Sequence, residues 1–506
     1  MRKLAMRRSK ILSDLFFQLI QKKVRFASWK NNHELDLSLS GETDIDLLLH
    51  PSDTHIMFDL LNEYGFVEGQ AKVINYPSVF HYYCYDAQLE KLLHIHLYTK
   101  LITGESDTKN YHFPIESTLL ERAVMDKRDV PVLHPSDQLL IFLLRHYIKI
   151  SCVPGLRSYL KDKVSYHDEF NAISMDVVES EGMQPSKNLV IDSLDFARLT
   201  KIYNSNFLVQ CVVGLKIRFI LNGFCRYNLA ENFYQRYAQI AYRLLNKLFF
   251  KSKKNFSDEG KFIAITGLDG TGKSSTVDHL HKMFSGNFNC KVIHVGKPKP
   301  TLLTIPIRGA LKILKLFVNK NNRWGAKADL DVAKPTGIVR ALMYTVLAYE
   351  RYKATKRAVK LSNKGSLVIA DRFPSENVGV MDSRRIILTE NSHYITKRLY
   401  NFETRCYEFC GMPDLLLNLK VPVEVSLERN NNRVKEGKET DDEIRERYRI
   451  NSNLTYKAYN IIEVDMDREK DECMKDICSL VWSLVSGPCV RNDDSTQVYE
   501  SLLLDK

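Results

Sequence analysis

The segment from residue 262 to residue 284 constrains the fold of this 506-residue chain more than any other. An apolar, β-branched run over 262–266 precedes a glycine-rich turn, and apolar residues at helical spacing follow it over 275–284. The turn, 267–274, reads Gly-Leu-Asp-Gly-Thr-Gly-Lys-Ser and fits the G-x-x-x-x-G-K-[ST] pattern of a phosphate-binding loop. Strand, glycine turn and helix in this order predict a βα unit of a parallel sheet.

The residue types of this loop, which we call the P-loop, suit a triphosphate. The glycines let backbone N–H groups surround a phosphate, and the N-terminus of the following helix adds a favourable dipole. We expect Lys273 to reach the β- and γ-phosphates and the Ser274 hydroxyl to bind Mg²⁺. A turn that binds no ligand is the alternative, which the matching flanks disfavour. The other candidate contacts to a nucleoside triphosphate are Gly267, Asp269, Gly270, Thr271, Gly272 and Ser275.

Length and composition indicate a globular protein of two or three domains. The ten cysteines show neither a pairing framework nor zinc-finger spacing, so we expect free thiols in a reducing cytoplasm. The basic N-terminus lacks the apolar core and cleavage site of a signal peptide. No stretch reaches the ~18 uncharged apolar residues that a membrane span needs. We therefore expect a cytoplasmic location.

The order of predicted elements divides the chain into five segments. Strands at 262–266, 292–296, 366–370, 415–420 and 461–465 alternate with helices, which predicts an α/β fold whose parallel sheet carries helices on both faces. Upstream, runs at 79–85 and 92–98 predict a hairpin within an α+β region. The predicted segments are an α+β domain (1–135), a helical extension (136–250), a polar linker (251–260), the P-loop domain (261–485) and a tail (486–506).

A long basic stretch lies inside the P-loop domain. Ten lysines and arginines and no acidic residue occur between Asp278 and Asp329. Such a stretch attracts phosphorylated substrates, acidic lipid headgroups or nucleic acid, although a solvated face beside a phosphate site is the simpler interpretation. Residues 302–320 combine an apolar face with cations, as interfacial helices do, so peripheral membrane contact stays open. Because no nucleic-acid-binding fold is recognised, we expect no nucleic-acid partner.

Charged residues after the later strands indicate phosphoryl transfer. Asp371 and Arg372 end the strand at 366–370 and should lie at the sheet edge beside the P-loop. The carboxylate can hold Mg²⁺ or its water and the guanidinium can bind phosphate, whereas a strand-ending ion pair is the alternative. Arg429 and Arg433, four residues apart, share one helix face and can supply positive charge to a migrating phosphoryl group.

Two further arginine-bearing segments allow two interpretations each. Residues 435–449, with Arg445, Arg447 and Arg449, form either a lid over the nucleotide or a solvated helix. Arg351, on a predicted helix, either faces the site or pairs outward with Glu350.

Over about 260–485 the chain resembles thymidylate kinases, within the nucleoside monophosphate kinase branch of P-loop proteins. The motifs that carry the resemblance are 267–274, Asp371-Arg372-Phe373, Pro413-Asp414 before a strand, and Glu428-Arg429 followed by Arg433. The resemblance implies ATP with Mg²⁺ as phosphoryl donor, Arg372 near the acceptor, Asp269 near the acceptor sugar, and lid arginines from 429 onward.

The region after the second strand departs from that family. The family's Arg-Glu-Pro-Gly-Gly acceptor loop is replaced by His-Val-Gly-Lys-Pro-Lys-Pro at 294–300, and the basic insert at about 300–335 is foreign to compact thymidylate kinases. Kinase chemistry is therefore better supported than thymidylate as the acceptor, which is left open between a nucleotide and a saccharide.

The N-terminal half carries a second motif. Alternation along a strand places Asp44 and Asp46 on one face, where both carboxylates can share Mg²⁺. A small-residue loop followed by this pair resembles the nucleotidyltransferase superfamily over about 10–150, in which such a pair holds metal and triphosphate. Where that family has a third carboxylate, this chain has His94 and His96. These imidazoles complete a site for a softer ion, act as acid and base, or are structural.

Together these features predict an ATP-dependent phosphotransferase with a second, nucleotidyltransferase-like domain. One alternative is a kinase that acts on a lipid-linked or polysaccharide acceptor at a membrane surface. The other is a non-catalytic nucleotide-binding switch.

Overall fold

A computed structural model describes residues 7–105, 108–179, 195–317, 336–431, 440–451 and 453–487. Within them the chain divides into two compact units, of which unit 1 reaches Lys254 and unit 2 runs from Asn255 to Val485. The division falls inside the predicted linker at 251–260. Most of the predicted tail, 488–506, lies outside the described residues.

Unit 1 combines a mixed sheet with helices. Its helices are α1 (Lys10–Gln21), α2 (Leu35–Leu39), α3 (Thr54–Glu63), α4 (Glu116–Glu121), α5 (Pro135–Ile150), α6 (Val153–Lys161), α7 (Lys163–Glu179), α8 (Phe196–Tyr203), α9 (Phe207–Ile220) and α10 (Leu229–Leu245). Its strands are β1 (Phe26–Ser28), β2 (Ile45–Leu49), β3 (Val67–Gln70), β4 (Val79–Asp86), β5 (Lys91–Tyr98), β6 (Ile102–Thr103), β7 (Tyr111–His112), β8 (Val124–Met125) and β9 (Pro131–Val132).

The sheet of unit 1 runs in the order β3-β4-β5-β2-β1-β9-β8. Strands β4 and β5 form the antiparallel hairpin that the runs at 79–85 and 92–98 predict. Strand β2 lies parallel to β5, with Asp46 directly opposite His96. Helix α5 begins at Pro135, a favoured first helical residue, and its buried side chains share a core with Trp29 and Leu48 of the sheet region. The predicted helical extension therefore shares its core with the α+β region.

Unit 2 is an α/β fold built around the P-loop. Its helices are α11 (Lys273–Ser285), α12 (Thr304–Phe317), α13 (Ile338–Ser362), α14 (Tyr394–Glu408), α15 (Val423–Asn431), α16 (Asp441–Ile450) and α17 (Lys470–Ser486). Its strands are β10 (Asn255–Phe256), β11 (Phe262–Gly267), β12 (Cys290–His294), β13 (Leu367–Asp371), β14 (Leu415–Lys420) and β15 (Ile461–Asp465). Strand β10 lies inside the predicted linker, where Phe256 is buried against Phe288 at a ring distance of 4.3 Å.

The five strands β12-β13-β11-β14-β15 form a sheet in that order, and every pairing is parallel. Every residue of the central strand β11 is buried, as the apolar run before the P-loop predicts. Strand β12 ends at His294, two residues before its predicted end. The reason is that the amides of Val295 and Gly296 both donate to Asp371 O, which stops the regular ladder. This topology brings the carboxyl ends of β11, β12 and β13 to one edge.

Candidate functional site

The P-loop has the backbone conformation that its glycines predict. Gly267, Gly270 and Gly272 have φ angles of 140°, 87° and 92°, in the region that favours glycine. A Cβ atom on Gly267 would lie 2.5 Å from Leu419 O, and one on Gly270 would lie 2.5 Å from Ser426 Oγ. The loop then enters α11 with Gly272 at the helix N-cap. The loop thus brings its backbone to the N-terminus of a helix, where phosphate binding is favoured.

Lys273 is the first residue of α11 and is buried at 8% exposure. Its Nζ atom donates to Leu268 O at 2.5 Å and lies 3.7 Å from Asp269 Oδ1. Burial lowers the pKa of Lys273 to about 8, although the neighbouring Asp269 carboxylate acts in the opposite direction. The Lys273 amine therefore lies inside the P-loop, where it is predicted to bind phosphate.

Asp269 brings three cations together beside the loop. Besides the Lys273 amine, the guanidinium of Arg372 lies 3.2 Å from Asp269 Oδ1, and that of Arg447 lies 2.5 Å from Oδ2. Burial alone would raise the pKa of Asp269, but these three cations lower it. The result is a concentration of positive charge around one anionic group at the mouth of the P-loop.

The predicted Asp371–Arg372 pair lies at the same edge. Asp371 ends β13, and its Oδ2 atom lies 3.1 Å from Nδ1 of His294 at the end of the neighbouring β12. Arg372 has a φ of 71°, an uncommon conformation for a residue with a side chain, and its amide donates to Ile265 O at 2.9 Å. Backbone outliers of this kind cluster at functional sites.

Asp382 forms ion pairs with both Arg372 and Arg351. Asp382 Oδ2 lies 3.3 Å from Arg372 and Oδ1 lies 2.5 Å from Arg351. The Arg351 guanidinium is buried and also donates to the Tyr407 hydroxyl at 2.7 Å. Burial works against the charge of Arg372, but Asp382 and Asp269 raise its pKa overall. Arg351 therefore supports a site residue through a shared carboxylate.

The alternative of an outward Arg351–Glu350 pair is wrong. The Glu350 side chain is buried and accepts from Thr304 Oγ1 at 2.6 Å, and its other oxygen binds the Arg308 guanidinium. Adjacent residues of α13 point in different directions, so Glu350 and Arg351 bind different partners.

Arg429, on α15, contacts the P-loop backbone. Its guanidinium donates to Gly270 O at 3.2 Å and to Met466 O at 2.9 Å. On the same helix, Ser426 Oγ donates to Asp269 O at 2.6 Å. Helix α15 thus holds the loop backbone through two side chains. Arg433, its predicted companion, lies outside the described residues.

One of the three arginines of the predicted lid reaches the site in α16. Arg447 binds Asp269, as described above. Arg445 lies 3.6 Å from Glu424 with both side chains exposed, and Arg449 pairs with Glu446 along the helix at 2.5 Å. The exposed pairs of Arg445 and Arg449 agree with the solvated-helix interpretation, whereas a lid over the nucleotide stays a prediction. Residues 435–439 of the predicted segment lie outside the described residues.

Of the groups described above, Asp269, Lys273, Asp371 and Arg372 line a cleft of about 440 Å³ beside the P-loop. His294 and Lys297 line it and were not predicted as site residues. His294 ends β12 and Lys297 follows it, at the sheet edge where such residues are expected. The lining is formed by Asp269, Gly270, Gly272, Lys273, Ser274, Ser275, His294, Gly296, Lys297, Asp371 and Arg372.

Unit 1 brings its predicted carboxylates together with histidine. His96 Nδ1 lies 2.6 Å from Asp44 Oδ2 and 3.3 Å from Asp46 Oδ1, and Lys30 Nζ lies 2.8 Å from the same Asp46 oxygen. Burial would raise the pKa of Asp44, but the hydrogen bond and charge of His96 lower it overall. The two carboxylates and His96 are close enough to share a metal ion. No third carboxylate joins this group among the described residues.

His94, the second histidine of the predicted motif, contacts His81, which the prediction did not include. His94 Nε2 lies 3.2 Å from Nδ1 of His81 on β4. Burial is the main reason that the pKa values of both imidazoles are lowered, so both are neutral at neutral pH. His81 was missed because it belongs to the other strand of the hairpin, and only the strand register brings it to His94 and His96.

Parts of the chain are similar to known proteins. It is 28% identical over 180 residues to a thymidylate kinase of Prochlorococcus marinus (strain AS9601), a match that covers 35% of this chain and 73% of that protein. It is 25% identical over 229 residues to a thymidylate kinase of Thermosipho africanus (strain TCF52B), covering 44% and 96%. An uncharacterized ATP-binding protein of Escherichia coli (strain K12), YghS, is 24% identical over 224 residues, covering 42% and 90%.

No family model matches the chain. The similarity to thymidylate kinases agrees with the P-loop, the parallel sheet and the cleft beside it. The chain therefore contains a P-loop, kinase-like region.

Proposed function

We propose that unit 2 is an ATP-dependent phosphotransferase that moves the γ-phosphoryl group of ATP to a nucleotide or saccharide acceptor. The observation that carries this proposal is that Lys273, Asp371 and Arg372 line one cleft beside the P-loop. The names of the similar proteins, thymidylate kinase and ATP-binding protein, support ATP as the donor.

The chemistry expected of this cleft is positioning and charge stabilisation. The P-loop N–H groups and the Lys273 amine bind the β- and γ-phosphates. The acceptor oxygen attacks the γ-phosphorus, the bond to the β–γ bridging oxygen breaks, and ADP leaves with the bonding electron pair. A phosphate oxygen attacks as the anion, whereas a hydroxyl acceptor releases its proton to solvent. Arg372 and Arg447, which lie against Asp269, offer positive charge to the migrating group.

The cleft also offers oxygen ligands that suit Mg²⁺. The Ser274 hydroxyl and the Asp371 carboxylate both line it, and Mg²⁺ prefers oxygen ligands from one or two side chains together with phosphate. When bound there, Mg²⁺ would neutralise charge on the phosphates. His294, 3.1 Å from Asp371, would then hold the carboxylate in place from the adjacent strand.

An anionic acceptor fits the altered loop at 294–300. Lys297 lines the cleft, and this loop contains no acidic residue. Positive charge at the acceptor side favours a substrate that carries phosphate. A nucleotide and a sugar phosphate both meet this condition.

A labelling experiment tests the proposal. The purified chain is incubated with ATP labelled at the γ- or α-phosphate, together with nucleotide, sugar-phosphate and lipid-linked acceptors. We expect γ-label on an acceptor, and we expect Lys273→Ala to abolish the transfer. Lys282→Ala, an exposed lysine on the same helix α11, is the matched control and should keep it. No labelled acceptor, or full transfer by Lys273→Ala, contradicts the proposal.

A nucleotidyltransferase activity of unit 1 stays a prediction from Asp44 and Asp46. It is tested in the same assay, because that reaction transfers the α-label. Loss of α-label transfer in the double variant Asp44→Ala/Asp46→Ala, with γ-label transfer intact, would assign it to unit 1.

One observation favours a membrane surface as the second candidate location of the acceptor. None of the described side chains of α10 is buried. Its large apolar residues recur every three or four positions, so they form one outward stripe. The stripe consists of Leu229, Phe233, Tyr234, Tyr237, Ile240, Leu244 and Leu245.

Basic residues accompany this stripe, which suits an anionic lipid surface. Arg243 is exposed in the last turn of α10, and the exposed Lys247 and Lys251 follow the helix. An apolar stripe beside cations is typical of interfacial helices. In the described part of the chain, one helical segment, Phe207–Phe224, is also long and apolar enough to cross a membrane by length and composition alone.

Liposome flotation tests the membrane candidate. We expect the chain to float with vesicles that contain anionic lipid, and Phe233→Ser/Leu244→Ser to reduce the floating fraction. Leu160→Ser, which changes an exposed leucine outside the stripe, is the control. Failure to float with either neutral or anionic vesicles would exclude this candidate.

A further inference from the structure

Three histidines of the β4–β5 hairpin lie together on one face of the sheet. His81 of β4 is directly opposite His96 of β5, and His94 lies two residues before His96. Residues two apart in a strand share a face, and so do residues directly opposite on neighbouring strands. The ring centroids are accordingly 4.2 Å apart for His81 and His96, 4.4 Å for His94 and His96, and 5.5 Å for His81 and His94.

The distances between ring nitrogens fit a shared metal ion. His81 Nδ1 and His94 Nε2 are 3.2 Å apart. Two imidazole nitrogens that bind one tetrahedral Zn²⁺, each at about 2.0–2.1 Å, are separated by roughly 3.3 Å. One nitrogen from each of the three histidines lies within 4.8 Å of the others. Binding of one ion by all three histidines would require side-chain rotations that bring these nitrogens to a separation of roughly 3.3 Å.

The third imidazole has the carboxylate support that metal-binding histidines use. A metal-binding histidine commonly donates its other ring N–H to a carboxylate, which sets the tautomer and the ring orientation. Nδ1 of His96 lies 2.6 Å from Asp44 Oδ2. With Nδ1 bound to this carboxylate, Nε2 of His96 is the nitrogen that carries the lone pair for a metal.

His94 is also held in position. Its ring stacks on Tyr83 with centroids 4.2 Å apart and an interplanar angle of 7°. Tyr83 is fully buried, whereas each of the three histidines keeps a minor part of its surface exposed, 19% of the side chain in His96. The imidazoles are therefore oriented by the sheet and still accessible to an ion.

We propose that His81, His94 and His96 bind one divalent transition-metal ion of the Zn²⁺ class, with Asp44 as the residue that orients His96. Three imidazole nitrogens suit Zn²⁺ and similar ions better than Mg²⁺, which prefers oxygen. Three protein ligands also leave a fourth position for water or for an oxygen of a substrate. This site differs from the Asp44–Asp46 Mg²⁺ site that the sequence predicts, and it does not depend on the kinase proposal.

Metal titration of the full chain tests the proposal. The protein is stripped with a chelator and then titrated with Zn²⁺ against a chromophoric competitor, and in parallel with Co²⁺ as a spectroscopic probe. We expect one Zn²⁺ per chain and the visible absorption bands of four- or five-coordinate Co²⁺. His81→Gln and His94→Gln should each weaken Zn²⁺ binding at least about tenfold, and Asp44→Asn by roughly ten- to a hundredfold.

The control variant is His55→Gln, which changes an exposed histidine of α3 outside the cluster and should leave Zn²⁺ binding unchanged. Melting curves in the presence of chelator show whether each variant is folded, and Asp44→Asn replaces any histidine variant that is not. Absence of stoichiometric binding overturns the proposal. Unchanged Zn²⁺ binding in both His81→Gln and His94→Gln also overturns it. The same holds if Zn²⁺ binding depends on Asp44 and Asp46 but on neither of those two histidines.

Discussion

Asp269 of the P-loop lies 2.5 Å from the guanidinium of Arg447 in α16, although 178 residues separate them in the chain. The pair brings a cation from a distant helix to the mouth of the phosphate-binding loop. Arg372 and Lys273 reach the same carboxylate from β13 and α11. Residues of three elements therefore place positive charge around one carboxylate beside the P-loop, and in the proposed function this charge acts on the triphosphate.

Arg447→Ala should slow phosphoryl transfer by about a hundredfold, because the removal of one stabilising cation costs on that order. The measurement is the rate of γ-label transfer at saturating ATP. Arg445→Ala is the matched control, since Arg445 is exposed on the same helix near Glu424. Equal rates for the two variants would show that Arg447 does not act on the migrating group.

Lys273→Met should abolish ATP binding and yet stabilise the ligand-free protein. Burial lowers the pKa of Lys273 from 10.5 to about 8, so at pH 7 the folded protein holds a buried ammonium at a cost. We expect the free energy of unfolding to rise by about 1 to 3 kcal/mol in the variant. Denaturant unfolding without nucleotide measures this change.

The stability difference between Lys273→Met and the wild-type protein should also depend on pH. Between pH 8 and pH 10.5 the unfolded chain binds more protons at Lys273 than the folded chain does, so the wild-type protein gains stability as the pH rises through this window. The stability difference between Lys273→Met and wild type should therefore be largest below pH 8 and shrink towards pH 10.5. A difference that is constant from pH 7 to pH 10 would contradict the assigned cause.

Asp382→Asn should destabilise unit 2 and slow transfer as well. The substitution leaves Arg351, only 3% exposed, and Arg372 without the carboxylate that joins them. Loss of one partner of a buried ion pair costs about 3–5 kcal/mol. Asp476→Asn, which disrupts the exposed pair with Arg468, should change unfolding by less than about 1 kcal/mol. Chemical unfolding compares the two variants.

Gly270→Ala should weaken nucleotide binding and lower stability. Gly270 has a φ of 87°, and the added Cβ would lie 2.5 Å from Ser426 Oγ. The strained backbone alone costs on the order of 1 kcal/mol. Gly286→Ala at the end of α11 is the control, because its φ is −60° and no atom lies within 4 Å of the new Cβ. Thermal shift with and without ATP measures both effects, and equal shifts in the two variants would contradict a special role for Gly270.

Local sequence patterns were sufficient to predict the strands and the loop that position the site. The apolar run before the P-loop predicted the buried central strand β11, and the two runs at 79–85 and 92–98 predicted the β4–β5 hairpin. The glycine pattern predicted a loop that leads into a helix N-terminus, and the position of Asp371 and Arg372 at a strand end predicted that they would lie at the sheet edge beside the P-loop. Each inference rests on a periodicity or a backbone constraint that acts within a few residues.

Long-range pairings could not be predicted in this way. The orientation of Arg351 towards Asp382 depends on how α13 packs, and the partners of Asp269 come from β13 and α16. His81 joins His94 and His96 only through the register of the hairpin. Sequence spacing carries no information about which distant side chains become neighbours.

The sequence by itself therefore determined the P-loop, the parallel α/β sheet and the carboxylates of unit 1, because glycine conformation and hydrophobic periodicity are local properties. The tertiary structure alone decided which cations surround Asp269 and which histidines lie beside Asp44. The physical reason is that electrostatic and metal-binding groups act across space at a few ångströms, and only the packed fold sets those distances.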